Sequence, residues 1–288
     1  MTVNHHLVML KCLSRLSLVL ALFSMLPAPR ARAADTRVFE MRTYYAAPDK
    51  LDALQARFRD HTCKLFEKHG IANIGYWVPL ENPENKLIYL LAYPSREARE
   101  KSWKSFFADP AWQAAYKASE VNGKLVAKVE QLFLQATDYS PLVKPDKVVL
   151  RDVALTGRLF KADGSTKPAK TTGGRVFELR TYPASPGNLG QLNARFRDHT
   201  LKLFEKHGMT NVGYWVPMKD QPGADDTLVY LLAHQSREAA KESFGAFGKD
   251  PDWQAARKAS EEKAGGPLTV KGGVKSLFMN ATDYSPLK

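Results

Sequence analysis

The chain has 288 residues, 44% hydrophobic and 25% charged, with 42 basic against 30 acidic side chains and a formal charge of +12. That length and balance suit a globular protein of about two domains, and the basic residues are interspersed rather than gathered in a stripe with aromatic partners, which argues against a nucleic-acid surface. With two cysteines, no Cys-x-x-Cys pair and no short chelating spacing among the histidines beyond residue 33, the sequence lacks the pattern of a disulfide framework or a dedicated metal site.

In chain order, residues 1–33 read as a signal peptide. Lys11 and Arg15 supply the basic start, Leu16 to Leu26 (LSLVLALFSML) the apolar run, and Ala31-Arg32-Ala33 the small-x-small cleavage site. The run is too short to span a bilayer, so the expectation is an exported chain, periplasmic or secreted, that starts near Ala34. Losing Lys11, Arg15, Arg30 and Arg32 lowers the formal charge from +12 to +8 and leaves Cys63 as the single cysteine. The residual basic excess fits solubility or a weak attraction to anionic surfaces.

The rest is a duplication. RVFEMRTY at Arg37 returns as RVFELRTY at Arg175, RFRDHTCKLFEKHG at Arg57 as RFRDHTLKLFEKHG at Arg195, and IGYWVP at Ile74 as VGYWVP at Val212. LIYLLAY matches LVYLLAH, SREA recurs at Ser95 and Ser236, DPAWQAA matches DPDWQAA, and ATDYSPL closes both copies. The domains are residues 37–142 and 175–287, joined by a small, polar linker at 143–174 in which VVLRDVAL could add a strand. Each copy reads strand, helix, strand, strand, helix, strand: alternating β-prone residues in VFEMRTYY, an apolar stripe at helical period from Leu51 to Phe66 ended by Gly70, two further strands, a helix capped at Ser95 that restarts at Asp109-Pro110, and the strand VEQLFLQATDY. The βαββαβ order is that of a ferredoxin-like α+β sandwich.

EMRTY and ELRTY, the helix that follows, GYW and the late DP-x-W segment together resemble the NIPSNAP family, over nearly all of both copies. The resemblance implies the dimeric α/β-barrel superfamily, in which two ferredoxin-like units close their sheets into a barrel. With both units in one chain, the expectation is an intramolecular pseudo-dimer. The wider superfamily includes cofactor-free oxygenases and haem-dependent enzymes, and animal NIPSNAP proteins are linked to mitochondria and trafficking, an address different from export.

The strands sort into two faces. Phe39 and Met41, with Ile88, Leu90 and Ala92, are expected beneath the helices. Glu40, Arg42, Tyr89 and Tyr93 are expected on the barrel face, gathered beside Glu178, Arg180, Tyr230 and His234, with Phe133, Gln135, Phe278, Asn280, Trp77 and Trp215 nearby. That set is the candidate ligand-binding site, in an apolar pocket with a few convergent polar groups. Its structural reading is an ion pair, Glu40 with Arg42, satisfied across the seam. On a helical wheel His69 falls within the apolar stripe, His61 at its edge and Cys63 toward solvent, so the repeated helix reads as packing rather than a catalytic box. His234, which replaces Tyr93, is either a polar strand-end residue or a base or iron ligand. Three functions follow: a small-molecule pocket at the barrel centre, serving binding or a cofactor-independent oxidation or isomerisation; a non-catalytic scaffold or partner-binding module; and haem binding through His234 or His61, by superfamily analogy alone. No other cofactor is implied.

Overall fold

A computed structural model describes residues 35–142 and 174–288. The leader expected at 1–33, the strand expected from VVLRDVAL and all of the expected linker except Gly174 lie outside the described residues.

Copy one contributes β1 (Val38–Ala46), β2 (Ala72–Pro79), β3 (Lys86–Tyr93) and β4 (Val126–Ala136), with α1 (Leu51–Arg57), α2 (Cys63–Lys68), α3 (Arg96–Ala108) and α4 (Pro110–Ser119). Copy two repeats this with β5 (Val176–Pro183), β6 (Thr210–Pro217), β7 (Thr227–His234), β8 (Lys275–Ala281), α5 (Leu189–Arg195), α6 (Leu201–Lys206), α7 (Arg237–Lys249) and α8 (Pro251–Ala264). The strands close into one barrel in the order β1-β3-β2-β8-β5-β7-β6-β4. Each copy's last strand pairs with its own first strand and with the other copy's second strand, through Trp77–Ala281 and Ala136–Trp215 among others. The pseudo-dimer is therefore built within one chain, and its seams leave no sheet edge free.

The helix breaks follow local chemistry. Ser95 and Ser236 each accept the backbone N–H three residues on at 3.1 Å. Asp109 and Asp250 cap α4 and α8 ahead of a proline at the first helical position.

ATDYSPL holds the copies together. Thr137 N–H donates to the Tyr214 carbonyl at 3.0 Å and Ser140 Oγ accepts from Tyr214 N–H at 3.0 Å; Thr282 and Ser285 do the same to Tyr76. Tyr139 enters the helix-side core of copy two and Tyr284 that of copy one.

The repeated helix is not one continuous α-helix. Residues Phe58–Thr62 and Phe196–Thr200 are π-helical, and Thr62 and Thr200 each donate their hydroxyl to the carbonyl five residues back at 3.1 Å. The extra residue turns everything beyond it by about 100°. Cys63 accordingly packs, half-buried, against the helix-side core of copy one rather than facing solvent, and burial raises its thiol to about 11. His61 is fully on the exposed side. The exposed Arg59 and Arg197 of these π segments grip Asp283 and Asp138 of the opposite copy's ATDYSPL at 2.6–2.8 Å.

The two sheet faces are the reverse of the sequence expectation. Phe39, Trp77, Ile88, Leu90 and Ala92 meet Phe177, Trp215, Val229, Leu231 and Ala233 inside the barrel. The Glu40/Arg42/Tyr89/Tyr93 face and its copy-two counterpart lie outside, each beneath its own helices. The physical reason is that both faces are buried, so alternation separates them without saying which is inward. The narrow lumen takes the wholly apolar set, whereas the outer face has helix side chains at hand to satisfy charge.

The lumen is packed solid. Phe39 meets Trp215 edge-on at 5.8 Å and Trp77 meets Phe177 at 5.6 Å. Only about 10 Å³ is left among Met41, Trp77, Leu90, Leu179, Trp215 and Met279, no more than the room of a single water. Each indole folds back over the glycine two residues before it: a Cβ at Gly75 would sit 2.2 Å from the Trp77 ring, and one at Gly213 2.3 Å from that of Trp215. This explains GYW, and it removes the central pocket expected from the sequence.

Candidate functional site

In copy one, Glu40 is wholly buried under α3. Its carboxylate accepts from Arg42 at 2.5 Å, twice from Arg99 at 2.9 and 3.1 Å, and from the Tyr93 hydroxyl at 2.9 Å. Arg42 reaches the Tyr89 hydroxyl at 2.9 Å and Gln131 at 3.0 Å, and its guanidinium stacks on Trp103 at 4.6 Å. Trp103 Nε1 in turn donates to Tyr93 Oη at 2.8 Å. Burial pushes the Glu40 carboxyl up, but the Arg99 and Arg42 guanidiniums outweigh it and hold it below the usual carboxylate range. Burial also pushes the Tyr89 and Tyr93 hydroxyls up, so both stay protonated donors at neutral pH.

Copy two keeps the glutamate and arginine and changes their company. Arg99, Trp103, Tyr93 and Gln131 become Ala240, Phe244, His234 and Ser276. Glu178 accepts from Arg180, from Ser276 Oγ at 2.5 Å and from His234 Nε2 at 3.0 Å. A carboxylate only accepts, so Nε2 carries the proton. Burial raises this carboxyl too, and His234, Arg180 and Ser276 together bring it below the ordinary value. Arg180 Nε, the Tyr230 hydroxyl and His234 Nδ1 are buried without a hydrogen-bond partner.

The structure thus brings Glu40, Arg42, Tyr89 and Tyr93 together, and Glu178, Arg180, Tyr230 and His234 together, but on opposite outer faces of the barrel. Phe133 joins the first set, with Arg96 over its ring at 3.5 Å; Phe278 joins the second, 6.2 Å from His234. Gln135 is tied to the Asp35 carbonyl, Asn280 is exposed, and Trp77 and Trp215 fill the lumen. His69 bridges Ser105 at 2.9 Å and Asp109 at 2.7 Å, tying the helix end to the α4 cap.

Beside the copy-one network lies a cleft of about 240 Å³ between β1, β4 and the helices. Tyr44, Phe58, Phe66, Trp103, Phe106, Trp112 and Tyr116 wall it, with Arg57, Thr62, Glu120 and Lys124 as its main polar groups. The π segment places two of these: Arg57 precedes it and Thr62 ends it. Arg57 is 5% exposed, donates to Ser119 and Glu120 at 3.1 Å, and leaves its buried Nε unpartnered. Its guanidinium lies over Trp112 at 5.4 Å and Tyr116 at 5.3 Å. In copy two the related positions Gly248, Trp253, Arg257 and Glu261 line a wide, open groove of about 620 Å³ instead.

The sequence reading missed Arg99, Trp103 and Arg57. A signal existed for the first two. Positions 93, 99, 103 and 131 all differ between copies otherwise closely matched, at spacings that place them around one glutamate. Arg57 carried no such signal, because Arg195 repeats it.

The profile of the NIPSNAP family matches residues 39–141 and 177–286. A Dictyostelium discoideum NipSnap homolog is 25% identical over 223 residues, covering 77% of this chain and 80% of the relative. A NIPSNAP family protein of Agrobacterium tumefaciens aligns at 25% identity over 37% of this chain and 98% of its own, with a TM-score of 0.34. A candidate monooxygenase of Lactobacillus acidophilus shares the fold across both copies, covering 85% of this chain and 94% of its own at 10% identity and a TM-score of 0.50. Matched in each of its two copies, the chain belongs to the NIPSNAP family and carries that domain twice in tandem.

Proposed function

We propose that this is an exported binding protein that takes a flat, mostly apolar small molecule in the copy-one cleft. The observation that carries the reading is the aromatic-walled space of about 240 Å³ with a buried arginine N–H uncommitted at its wall. Ligand sites are commonly concave, apolar and furnished with a few directional polar groups. The cleft has that character, at a volume just under the range usual for such sites. Aromatic rings supply flat area, and Arg57 and Thr62 supply orientation.

The test is ligand-detected NMR with 2-naphthol as the probe. Saturation transfer is expected with the native chain and expected to vanish in Val129→Trp, which fills the mouth from a partly exposed strand position. Transfer that survives this change would sink the proposal. Dioxygen uptake with the same probe then separates plain binding from a cofactor-independent oxidation.

Export is supported by the leader pattern and by Asp35, which is buried and paired with Arg37 at 2.7 Å, so that cleavage before it spares the fold. N-terminal sequencing after expression in an exporting host should give Ala34 or Asp35. An intact Met1 would overturn export.

A further inference from the structure

We propose that the mouth of the copy-one cleft docks on an anionic lipid surface. Among the described residues, seven large apolar side chains are left in solvent: Phe107 (54% exposed), Tyr116 (43%), Val121 (77%) and Val129 (44%), and besides them Leu80, Val270 and Val274. Phe107, Tyr116 and Val129 line the cleft, and Val121 directly follows the lining residue Glu120. These four form one collar at one opening, where scattered exposed apolar residues would need no explanation.

The collar is set among exposed lysines: Lys104 one helical turn before Phe107 on α3, Lys117 beside Tyr116 on α4, and Lys124 on the cleft wall. The nearby acids are engaged. Glu120 is held by Arg57 at 3.1 Å, Glu130 by Lys128 at 2.5 Å and Tyr45 at 2.8 Å, and Asp109 by Lys68 and His69 at 2.7 Å. Aromatic and aliphatic side chains flanked by lysines are the pattern of an interfacial site, in which the apolar tips enter the headgroup boundary and the ammonium groups meet anionic lipid. No helix among the described residues is long and apolar enough to cross a membrane, so the contact is peripheral.

Copy two serves as an internal comparison. Phe107, Tyr116 and Val121 correspond to Gly248, Arg257 and Glu262, and Lys104 to Gly245. Leu125 and Leu268 are equivalent, each accepting a backbone N–H from the end of its copy's first strand at 2.9 Å, so Lys124 corresponds to Pro267. Of the four collar residues copy two keeps one, Val274 in the place of Val129, so the same fold presents the full collar on one side only.

The experiment is co-sedimentation of the purified chain with phosphatidylcholine vesicles that contain or lack phosphatidylglycerol. Binding is expected to the phosphatidylglycerol vesicles and should fade as salt is raised. It should weaken about tenfold or more in Phe107→Ser/Val121→Glu, and about fivefold for each of Lys104→Ser and Lys124→Ser. Val274→Ser, in copy two, should leave it unchanged. The lysine variants, exposed and outside the core, carry the test if the first variant loses its melting transition. No sedimentation with phosphatidylglycerol vesicles, equal sedimentation with phosphatidylcholine alone, or collar and lysine variants that bind like the native chain would each overturn the proposal. Loss of vesicle binding with 2-naphthol binding retained would leave the ligand reading standing, so the two fail separately.

Discussion

Copy one and copy two place a glutamate at the same point of the same strand and surround it differently. Glu40 sits between two arginines that cannot lose their charge, with a tyrosine and a tryptophan completing a closed network. Glu178 has one arginine, a histidine and a serine, and leaves three polar atoms unmatched nearby. Inside the barrel the copies have hardly diverged: Trp77 and Trp215, Gly75 and Gly213, and Leu90 and Leu231 fill it almost symmetrically. The difference has a physical cause. The lumen is shared, so a change in one copy is felt by the other, whereas each outer face answers only to its own helices and is free to specialise.

The largest effect should be symmetric. Trp77→Ala and Trp215→Ala are each expected to cost about 3–5 kcal/mol, read as a shift in the urea midpoint. A well-tolerated change at either tryptophan would break the claim that both copies share one packed core.

The next should be asymmetric. Glu40→Gln strands the buried Arg42 guanidinium and leaves the half-buried Arg99 with only the exposed Glu100 at 2.9 Å, and is expected to cost about 3 kcal/mol or more. Glu178→Gln should cost about 1–2 kcal/mol less, because it strands the single guanidinium of Arg180, Ala240 standing where copy one has Arg99. Equal costs would show that the changed surroundings carry no energetic weight.

The pH dependence sharpens the same point. Both carboxyls are held below their ordinary value of 4.5, so their contribution is fully present above that pH and is lost as pH falls through the lower folded values. Stability should therefore decline below about pH 4.5, and less steeply in Glu40→Gln than in the native chain, as followed by thermal melts between pH 3 and 6. Identical slopes would mean that Glu40 is not the group titrating. The smallest effect is expected at the caps: Ser95→Ala and Ser236→Ala should each cost about 1 kcal/mol, alike in the two copies.

Much of the fold was legible in the sequence. The repeat, the βαββαβ order and the restart at Asp109-Pro110 follow from local patterns, and closure within one chain is what the family resemblance implies. The inward face was not, because Leu87, Tyr89, Leu91 and Tyr93 are as buried as Ile88, Leu90 and Ala92. Alternation marks a face as buried against solvent but is silent when both sides are covered. The π segments were equally hidden, since one inserted residue leaves composition unchanged while rotating Cys63 inward. Of the candidate site, the eight strand residues were expected as one set gathered in the lumen, whereas four lie on each outer face and tryptophan fills the lumen. The cleft depends on how Arg57, Trp103 and Trp112 meet across three helices, and no single stretch of sequence encodes that.

The most direct measurement is a crystal structure of residues 34–288 soaked with 2-naphthol. Ligand density in the copy-one cleft, between Trp112, Trp103 and Arg57 with the barrel interior unchanged, is the predicted result. Density between Trp77 and Trp215 inside the barrel, or in the copy-two groove with the copy-one cleft empty, would contradict it.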